Sequence, residues 1–269
     1  MKRRSMIIVL LGLLTNIVLG QSQEASIGTQ SGLNKLASKV YVWDGFPVEG
    51  KETSQTRPIF EGSTTHLEYF EIHATTLKPY MDPHPAHVNN DLEELIIIKE
   101  GLVAVTIEND RKVLGPGSVA LILPGDKHGI KNAGDTLATY YILKYRSKLP
   151  MDLRRGQKAG GSFMVDWNEV KYREHNKGGR RDFFDRPTAM CEDFEMHVTN
   201  LNEKTNSHAP HVHLVEEIIL TVRGDVAMHI DGGDQKATNG DLAFVDSNIP
   251  HAATNIGTGQ CIYFAFQWR

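Results

Sequence analysis

The sequence predicts an all-β protein in which one structural unit occurs twice. The chain has 269 residues, of which 24 are glycine and 40% are hydrophobic, a composition that fits a sheet protein with many turns. Short β-branched and aliphatic runs divided by glycines predict strands along the chain. A weak helical pattern covers residues 151–157. The length leaves room for two domains of ordinary size.

The two halves of the chain repeat each other at a spacing of 124 residues. The segment Phe70-Glu-Ile-His-Ala-Thr75 recurs as Phe194-Glu-Met-His-Val-Thr199, and the spacing falls to 123 towards the end of each half. Further matched pairs are Trp43 and Trp167, Arg57 and Arg181, Glu94 and Glu217, and His128 and His251. So many matches in register predict two copies of one unit. We assign them to residues 39–149 and 150–269.

The beginning of the sequence predicts export. Lys2-Arg3-Arg4 forms a basic start, residues 6–19 form an apolar run, and Gly20 offers a cleavage point. The apolar run is short for a membrane span. We therefore predict a signal peptide over residues 1–20, a flexible leader over residues 21–38, and a secreted or periplasmic protein without a membrane span after cleavage. The alternative is an uncleaved N-terminal anchor.

Charge and cysteine content exclude several classes of protein. A net charge of −4 with 23% charged residues gives no field that would attract nucleic acid or an anionic membrane. We expect a small-molecule substrate, no nucleic-acid partner, and a chain that is free to form a homo-oligomer. Cys191 and Cys261 lack the spacing of a zinc knuckle or redox pair. We favour two buried, unpaired thiols over a disulfide.

The strongest chemical signal is a group of potential metal ligands in the second unit. His211 and His213 stand two residues apart, so their side chains share one face of an extended strand. Glu217 follows them, and His251 comes later in the chain. Imidazoles combined with a carboxylate suit a divalent first-row transition metal such as Mn, Fe, Ni, Cu or Zn. The alternative is a pair of solvent-facing histidines beside an acidic strand end.

The spacing of these residues resembles the two motifs of the cupin superfamily. HxHxxxExxxxxxG matches residues 211–224, and the second motif matches residues 246–255, with Asp246 and Asn248 where proline and glycine are usual. Both replacements are turn formers, so we expect the turn to persist. The resemblance implies two tandem double-stranded β-helix barrels of the jelly-roll type, with the metal inside the barrel. It places the metal ligands at His211, His213, Glu217 and His251.

The first unit carries an incomplete copy of this ligand set. His87, Glu94 and His128 match three of the ligands, whereas Asn89 stands where the second histidine is expected. An amide oxygen is a weaker ligand for first-row metals than an imidazole. We therefore predict a degenerate or weaker second site and about one tightly bound metal ion per chain.

Other residues are candidates for a role in the second barrel. Arg181 is either a clamp for an anionic substrate group or a structural ion-pair residue. Tyr263 and Gln267 share one face of the last strand; if that face enters the barrel, Gln267 reaches the metal region and Tyr263 is a candidate acid or hydrogen-bond donor. For His197 we favour ordinary packing over support of the site. Candidates for an apolar wall around the metal are Ile218, Leu220, Val226, Phe244, Phe264 and Phe266.

The resemblance implies several kinds of chemistry. Two-barrel cupins of this size include quercetin-type dioxygenases, oxalate decarboxylases and ureidoglycine aminohydrolases. A metal held by imidazoles and a carboxylate binds a chelating hydroxy-carbonyl or carboxylate and stabilises enolate-like charge. We predict an exported metal-dependent enzyme of the dioxygenase or lyase type, or one with another non-oxidative reaction. The alternative is a cupin that holds a sugar or metabolite without turnover. A general acid or base near the metal would distinguish the two, and Glu216 alternates away from the site.

Overall fold

The all-β prediction is confirmed. A computed structural model describes residues 32–269, so the predicted signal peptide and the first part of the predicted leader lie outside the described residues. The described part is built mainly of strands. Its α-helix, α1 (Leu153–Lys158), overlaps the segment with the weak helical pattern. Among the described residues, no helix is long and apolar enough to cross a membrane.

The strands follow the order of the two repeats. The first half contains β1 (Lys39–Tyr41), β2 (Glu49–Gly50), β3 (Ser54–Gly62), β4 (Leu67–Leu77), β5 (His87–Val88), β6 (Glu93–Glu100), β7 (Val103–Ile107), β8 (Asp110–Leu114), β9 (Val119–Ile122), β10 (Lys127–Asn132) and β11 (Ala138–Ser147). The second half contains β12 (Phe163–Val165), β13 (Tyr172–His175), β14 (Gly178–Asp185), β15 (Phe194–Leu201), β16 (Glu216–Arg223), β17 (Val226–Ile230), β18 (Gly233–Ala237), β19 (Leu242–Val245), β20 (His251–Asn255) and β21 (Cys261–Trp268).

Each half forms a barrel from one large and one small antiparallel sheet. In the first barrel the large sheet has the order β12-β9-β6-β11-β4-β3-β2 and the small sheet the order β5-β10-β7-β8. In the second barrel the corresponding orders are β1-β19-β16-β21-β15-β14-β13 and β18-β17-β20. The two sheets of each barrel pack around an apolar interior. This is the tandem jelly-roll architecture that the sequence predicts.

The two repeats exchange their first strands. Strand β1 pairs with β19 of the second barrel, with Lys39 opposite Phe244. Strand β12 pairs with β9 of the first barrel, with Phe163 opposite Leu121. Because β1 and β12 are equivalent in the repeat, the exchange is symmetric. The division between residues 39–149 and 150–269 remains a prediction about the sequence units, and each large sheet contains one strand from the other unit.

The apolar residues of the large sheets point in two directions. Strand side chains alternate, so Ile218 and Leu220 of β16 join a central cluster between the barrels, whereas Ile219 joins the interior of the second barrel. The predicted apolar wall is therefore largely wrong. Among its six members Val226 lies in the barrel interior. The other five pack between the barrels: Ile218, Leu220, Phe244, Phe264 and Phe266.

Two buried glutamates connect the barrels through equivalent contacts. Glu216 accepts a hydrogen bond from Oγ1 of Thr64 at 2.7 Å, and Glu93 accepts one from Oγ1 of Thr188, also at 2.7 Å. Burial and the neighbouring Asp246 raise the pKa of Glu216 to about 7. Glu216 thus points between the barrels and away from the metal ligands, as the strand alternation predicts.

The two cysteines are buried and unpaired, which confirms the preferred prediction. Cys191 belongs to the central cluster between the barrels. Cys261 belongs to the interior cluster of the second barrel. Burial raises the pKa of both thiols, which keeps them in the unreactive protonated form.

Candidate metal centre

Backbone pairing brings the first and last predicted ligands together. The backbone N–H of His211 donates to the carbonyl oxygen of His251 at 3.2 Å, and the reverse bond measures 3.0 Å. His251 begins β20 directly after the turn that contains Asp246 and Asn248. Asn248 has a φ of 61°, a left-handed conformation that asparagine tolerates. The turn therefore persists without the usual proline and glycine.

The three predicted imidazole ligands offer nitrogens within 4.8 Å of one another, and the predicted carboxylate ligand contacts two of them. Glu217 lies on the inward face of β16, and its Oε2 is 2.8 Å from Nε2 of His251 and 3.7 Å from Nε2 of His213. The ring of His211 lies 5.1 Å from that of His213 and 4.7 Å from that of His251, centroid to centroid. The structure thus brings together the four residues predicted as ligands.

The orientation of the imidazoles fits a bound metal ion. Nδ1 of His213 lies 2.9 Å from the carbonyl oxygen of Val215, and Nδ1 of His251 lies 2.8 Å from that of Ile249. A carbonyl oxygen only accepts, so each Nδ1 carries a proton, and each Nε2 offers a lone pair when its ring is neutral. Both Nε2 atoms are buried without a hydrogen-bond partner among residues 32–269. A cation beside them would satisfy both lone pairs.

Glu217 supplies the negative charge of the group. Burial alone would raise its pKa, but contacts with His213 and His251 outweigh burial and hold the pKa well below its usual value. Nε2 of Gln267 donates to Oε1 of Glu217 at 2.9 Å. One carboxylate oxygen is therefore held by the amide while the other faces the imidazoles. The hydrogen bond with Glu217 raises the pKa of His213, so a metal ion would displace a proton there. Three imidazoles in the neutral form, together with this carboxylate, would suit a divalent first-row metal.

The group borders a cavity of about 290 Å³ in the second barrel. The polar face of β21 enters this cavity, so Tyr263 and Gln267 both line it. Burial raises the pKa of Tyr263, which keeps its phenol protonated and able to donate a hydrogen bond. The catalytic roles of both residues remain predictions. Basic side chains also line the cavity, namely His175, Lys177, Arg180 and His208.

Sequence reasoning missed a carboxylate–imidazole pair in this cavity. Nδ1 of His197 lies 2.7 Å from Oε1 of Glu195, and Arg180 donates to the same oxygen at 2.5 Å. His197 is buried, but it also lines the cavity, so its interpretation as an ordinary packed residue needs correction. The sequence carries a signal for the pair, because Glu-x-His occurs in both repeats and residues two apart share a strand face.

Arg181 lies outside this cavity. Its guanidinium sits over the ring of Trp167, 4.7 Å from the centroid, and donates to the carbonyl oxygen of Val170 at 2.5 Å. Arg57 has the equivalent place in the first barrel, 4.5 Å from the ring centroid of Trp43. This position favours the structural interpretation of Arg181 over the substrate clamp.

We expect Arg181→Met to lower the free energy of unfolding by about 1–3 kcal/mol, because the change removes a cation–π contact and a charged hydrogen bond. Metal content should stay the same. Arg57→Met is the matched control and should cost a similar amount. Chemical denaturation and elemental analysis measure the two effects. Loss of substrate binding at unchanged stability in Arg181→Met would contradict the structural role.

The first barrel assembles an incomplete version of the group. Ligand atoms of His87, Glu94 and His128 lie within 4.8 Å of one another, and Nε2 of His128 is 3.6 Å from Oε2 of Glu94. Nδ2 of Asn89 donates to Oε2 of Glu94 at 3.0 Å. The amide therefore presents an N–H group where His213 presents a lone pair in the second barrel.

A lysine adds to this difference between the barrels. Lys144 stands opposite Glu94 in the pairing of β11 with β6, as Gln267 stands opposite Glu217 in the second barrel. Lys144 and Glu94 line one cavity. A permanent positive charge here opposes a divalent cation. The residues of the first barrel fit a metal ion less well than those of the second. A weaker site at His87, Asn89, Glu94 and His128 remains a prediction.

Comparison with known proteins agrees with this architecture. Residues 75–143 and 197–266 each match the family described as Cupin domain. AerE from Microcystis aeruginosa is similar over 86% of this chain and 98% of its own, at 12% identity and a TM-score of 0.65. A formate complex of oxalate decarboxylase from Lactobacillus farciminis is similar over 86% of each chain, at 13% identity and a TM-score of 0.67. The protein Ylba from E. coli is similar over 86% of this chain and 90% of its own, at 16% identity and a TM-score of 0.66. At these identities the likeness shows the fold. No curated protein sequence matches the chain.

Proposed function

Since the chain belongs to the cupin family and contains two cupin domains, we propose that it is a metal-dependent enzyme whose second barrel acts on a small, oxygen-rich substrate. The observation that carries the proposal is the convergence of Glu217 with imidazoles whose buried Nε2 atoms lie beside its carboxylate without a well-directed hydrogen bond among residues 32–269. A divalent first-row metal ion at this point would polarise a carbonyl or carboxylate oxygen and stabilise enolate-like charge.

The charge of the cavity supports a carboxylate or hydroxy-carbonyl substrate. Lys177 and Arg180 line it. Arg180 also pairs with Asp182 and Glu195, so Lys177 is the cation that we assign to a substrate carboxylate. Tyr263 adds a protonated phenol. A volume of about 290 Å³ lies at the small end of the range for ligand pockets. A compact acid with a neighbouring hydroxyl or carbonyl group fits these features.

The reaction class follows from a substrate panel. Purified protein is loaded with the metal found by elemental analysis and offered oxalate, glycolate and hydroxy-carbonyl compounds under air and under nitrogen. Oxalate belongs in the panel because a solved oxalate decarboxylase shares the fold. Turnover that requires dioxygen indicates a dioxygenase, and turnover under nitrogen indicates a lyase or another non-oxidative enzyme. Metal-dependent binding of a sugar or metabolite without turnover would contradict an enzyme and favour the non-catalytic alternative.

Export is part of the proposal. It rests on the predicted signal peptide over residues 1–20, and the sequence places the cleavage before Gln21. Cell fractionation and N-terminal sequencing of the recovered protein test it. A cytoplasmic protein that keeps Met1 would contradict export.

A further inference from the structure

The carboxylate–imidazole pair in the second barrel has a geometry that general acid–base catalysis requires. We infer that His197 is the acid–base residue of this cavity and that Glu195 is its positioning residue. Both side chains belong to β15, two residues apart, and so share its inward face. His197 lines the same cavity as the predicted metal ligands. The inference rests on the proposed function and specifies how a substrate proton is handled.

The contact with Glu195 determines which nitrogen faces the cavity. Oε1 of Glu195 is 2.7 Å from Nδ1 of His197, and an ionised carboxylate only accepts hydrogen bonds. Nδ1 therefore carries a proton, and Nε2 is the atom that takes up or returns a proton. A base oriented by a third group in this way is a recurring feature of catalytic sites.

Glu195 is also held by an arginine. Arg180 donates to Oε1 of Glu195 at 2.5 Å and also pairs with Asp182. Asp182 stands opposite His197 on the neighbouring strand β14. On the other side of β15, the residue opposite His197 is the uncharged Ala265 of β21. Glu195 thus holds the ring of His197 at Nδ1, and Arg180 in turn holds Glu195.

The pair is separated from the predicted metal ligands. Glu195 stands opposite Gln267 in the pairing of β15 with β21, and Gln267 stands opposite Glu217 in the pairing of β21 with β16. Gln267 therefore lies between the two glutamates, and its amide holds Glu217. His197 therefore lies apart from the predicted metal ligands and lines the same cavity.

The chemical step is a single proton transfer. For a 2-hydroxy acid, the O–H bond of the substrate hydroxyl breaks and an N–H bond forms at Nε2 of His197. The electron pair stays on the substrate oxygen, and the new imidazolium charge is balanced by Glu195. Reversal of the step returns the proton to the substrate oxygen, so no oxidant or other reactant is required.

The first barrel contains an equivalent pair that serves as a control. Nδ1 of His73 lies 2.7 Å from Oε1 of Glu71, the same distance as in the second barrel. Asn89 and Lys144 distinguish the neighbouring cavity from that of the second barrel. A substitution of His73 therefore makes the same chemical change beside the incomplete ligand group.

Calorimetry with glycolate tests the inference without the need for turnover. Metal-loaded protein is titrated with glycolate at about pH 8, where an ordinary histidine is neutral, in two buffers of different ionisation enthalpy. The difference between the binding enthalpies observed in the two buffers gives the number of protons released per glycolate bound. We expect wild-type protein to release few protons, because His197 retains the hydroxyl proton. The His197→Gln variant should release about one more proton per glycolate bound than wild type. The His73→Gln variant should release the same number of protons as wild type. Metal content should be equal in all three.

Each outcome decides the question. Equal proton release from wild type and His197→Gln, with glycolate bound by both, overturns the role of His197 and leaves the proposed function in place. Failure of metal-loaded wild type to bind glycolate contradicts the proposed substrate class and, with it, this inference. If His197→Gln does not fold, as judged by thermal melting, Glu195→Gln replaces it. That variant removes the anionic partner of the imidazolium and should also raise proton release; release equal to wild type then overturns the inference.

Discussion

His213→Ala is expected to release most of the bound metal, whereas His87→Ala is expected to leave most of it in place. In the second barrel the Nε2 lone pair of His213 is buried beside Glu217, and the loss of such a ligand should weaken metal binding at least about 100-fold. In the first barrel the set already lacks an imidazole at Asn89. Elemental analysis after dialysis against a chelator of defined strength measures the difference.

The two substitutions form a matched pair, because each removes one imidazole from an equivalent barrel. Wild-type protein should retain about one metal ion per chain under the same dialysis. If His87→Ala empties the protein as completely as His213→Ala, the metal centre has been assigned to the wrong barrel. Two equally tight metal ions in wild-type protein would contradict the asymmetry between the barrels.

The repeat and the grouping of the four candidate ligands could be predicted, because both depend on the spacing of residues along the chain. His211, His213 and Glu217 follow each other closely, and the repeat independently identifies the place of His251. The structure adds the backbone pairing of His211 with His251, which no local pattern shows. The exchange of β1 and β12 was also beyond prediction, because strands of three residues carry too little pattern to name their partner.

Errors arose where the direction of a side chain had to be chosen. Glu217 faces inward, so strand alternation already placed Ile219 inside the barrel and Ile218 outside it. The predicted wall nevertheless took Ile218 and Leu220, which have the outward parity. The same problem separates Arg180 from Arg181. As neighbours on β14 they point to opposite faces, so the arginine that enters the cavity depends on which face of β14 points inward in the tertiary structure.

The difference between the barrels suggests how a second metal site could be restored. Asn89 stands in the place of a histidine, and Lys144 in the place of Gln267. One extra residue precedes Glu94 in the first barrel, which could have moved position 89 away from the group. The structure argues against this, because the side chain of Asn89 reaches Oε2 of Glu94 at 3.0 Å.

The double substitution Asn89→His with Lys144→Gln is therefore expected to raise the metal content from about one to about two ions per chain. The new imidazole joins His87, Glu94 and His128, and the glutamine removes a positive charge that repels the cation. Asn89→His alone should bind the second ion more weakly, because Lys144 remains. The matched control is Asn89→Ala with Lys144→Gln, which removes the charge without adding a ligand and should stay at about one ion. Elemental analysis after dialysis against the same chelator measures the metal content of wild type, the double variant, the single variant and the control. A double variant that folds normally and still retains one ion would show that Asn89 and Lys144 do not account for the asymmetry.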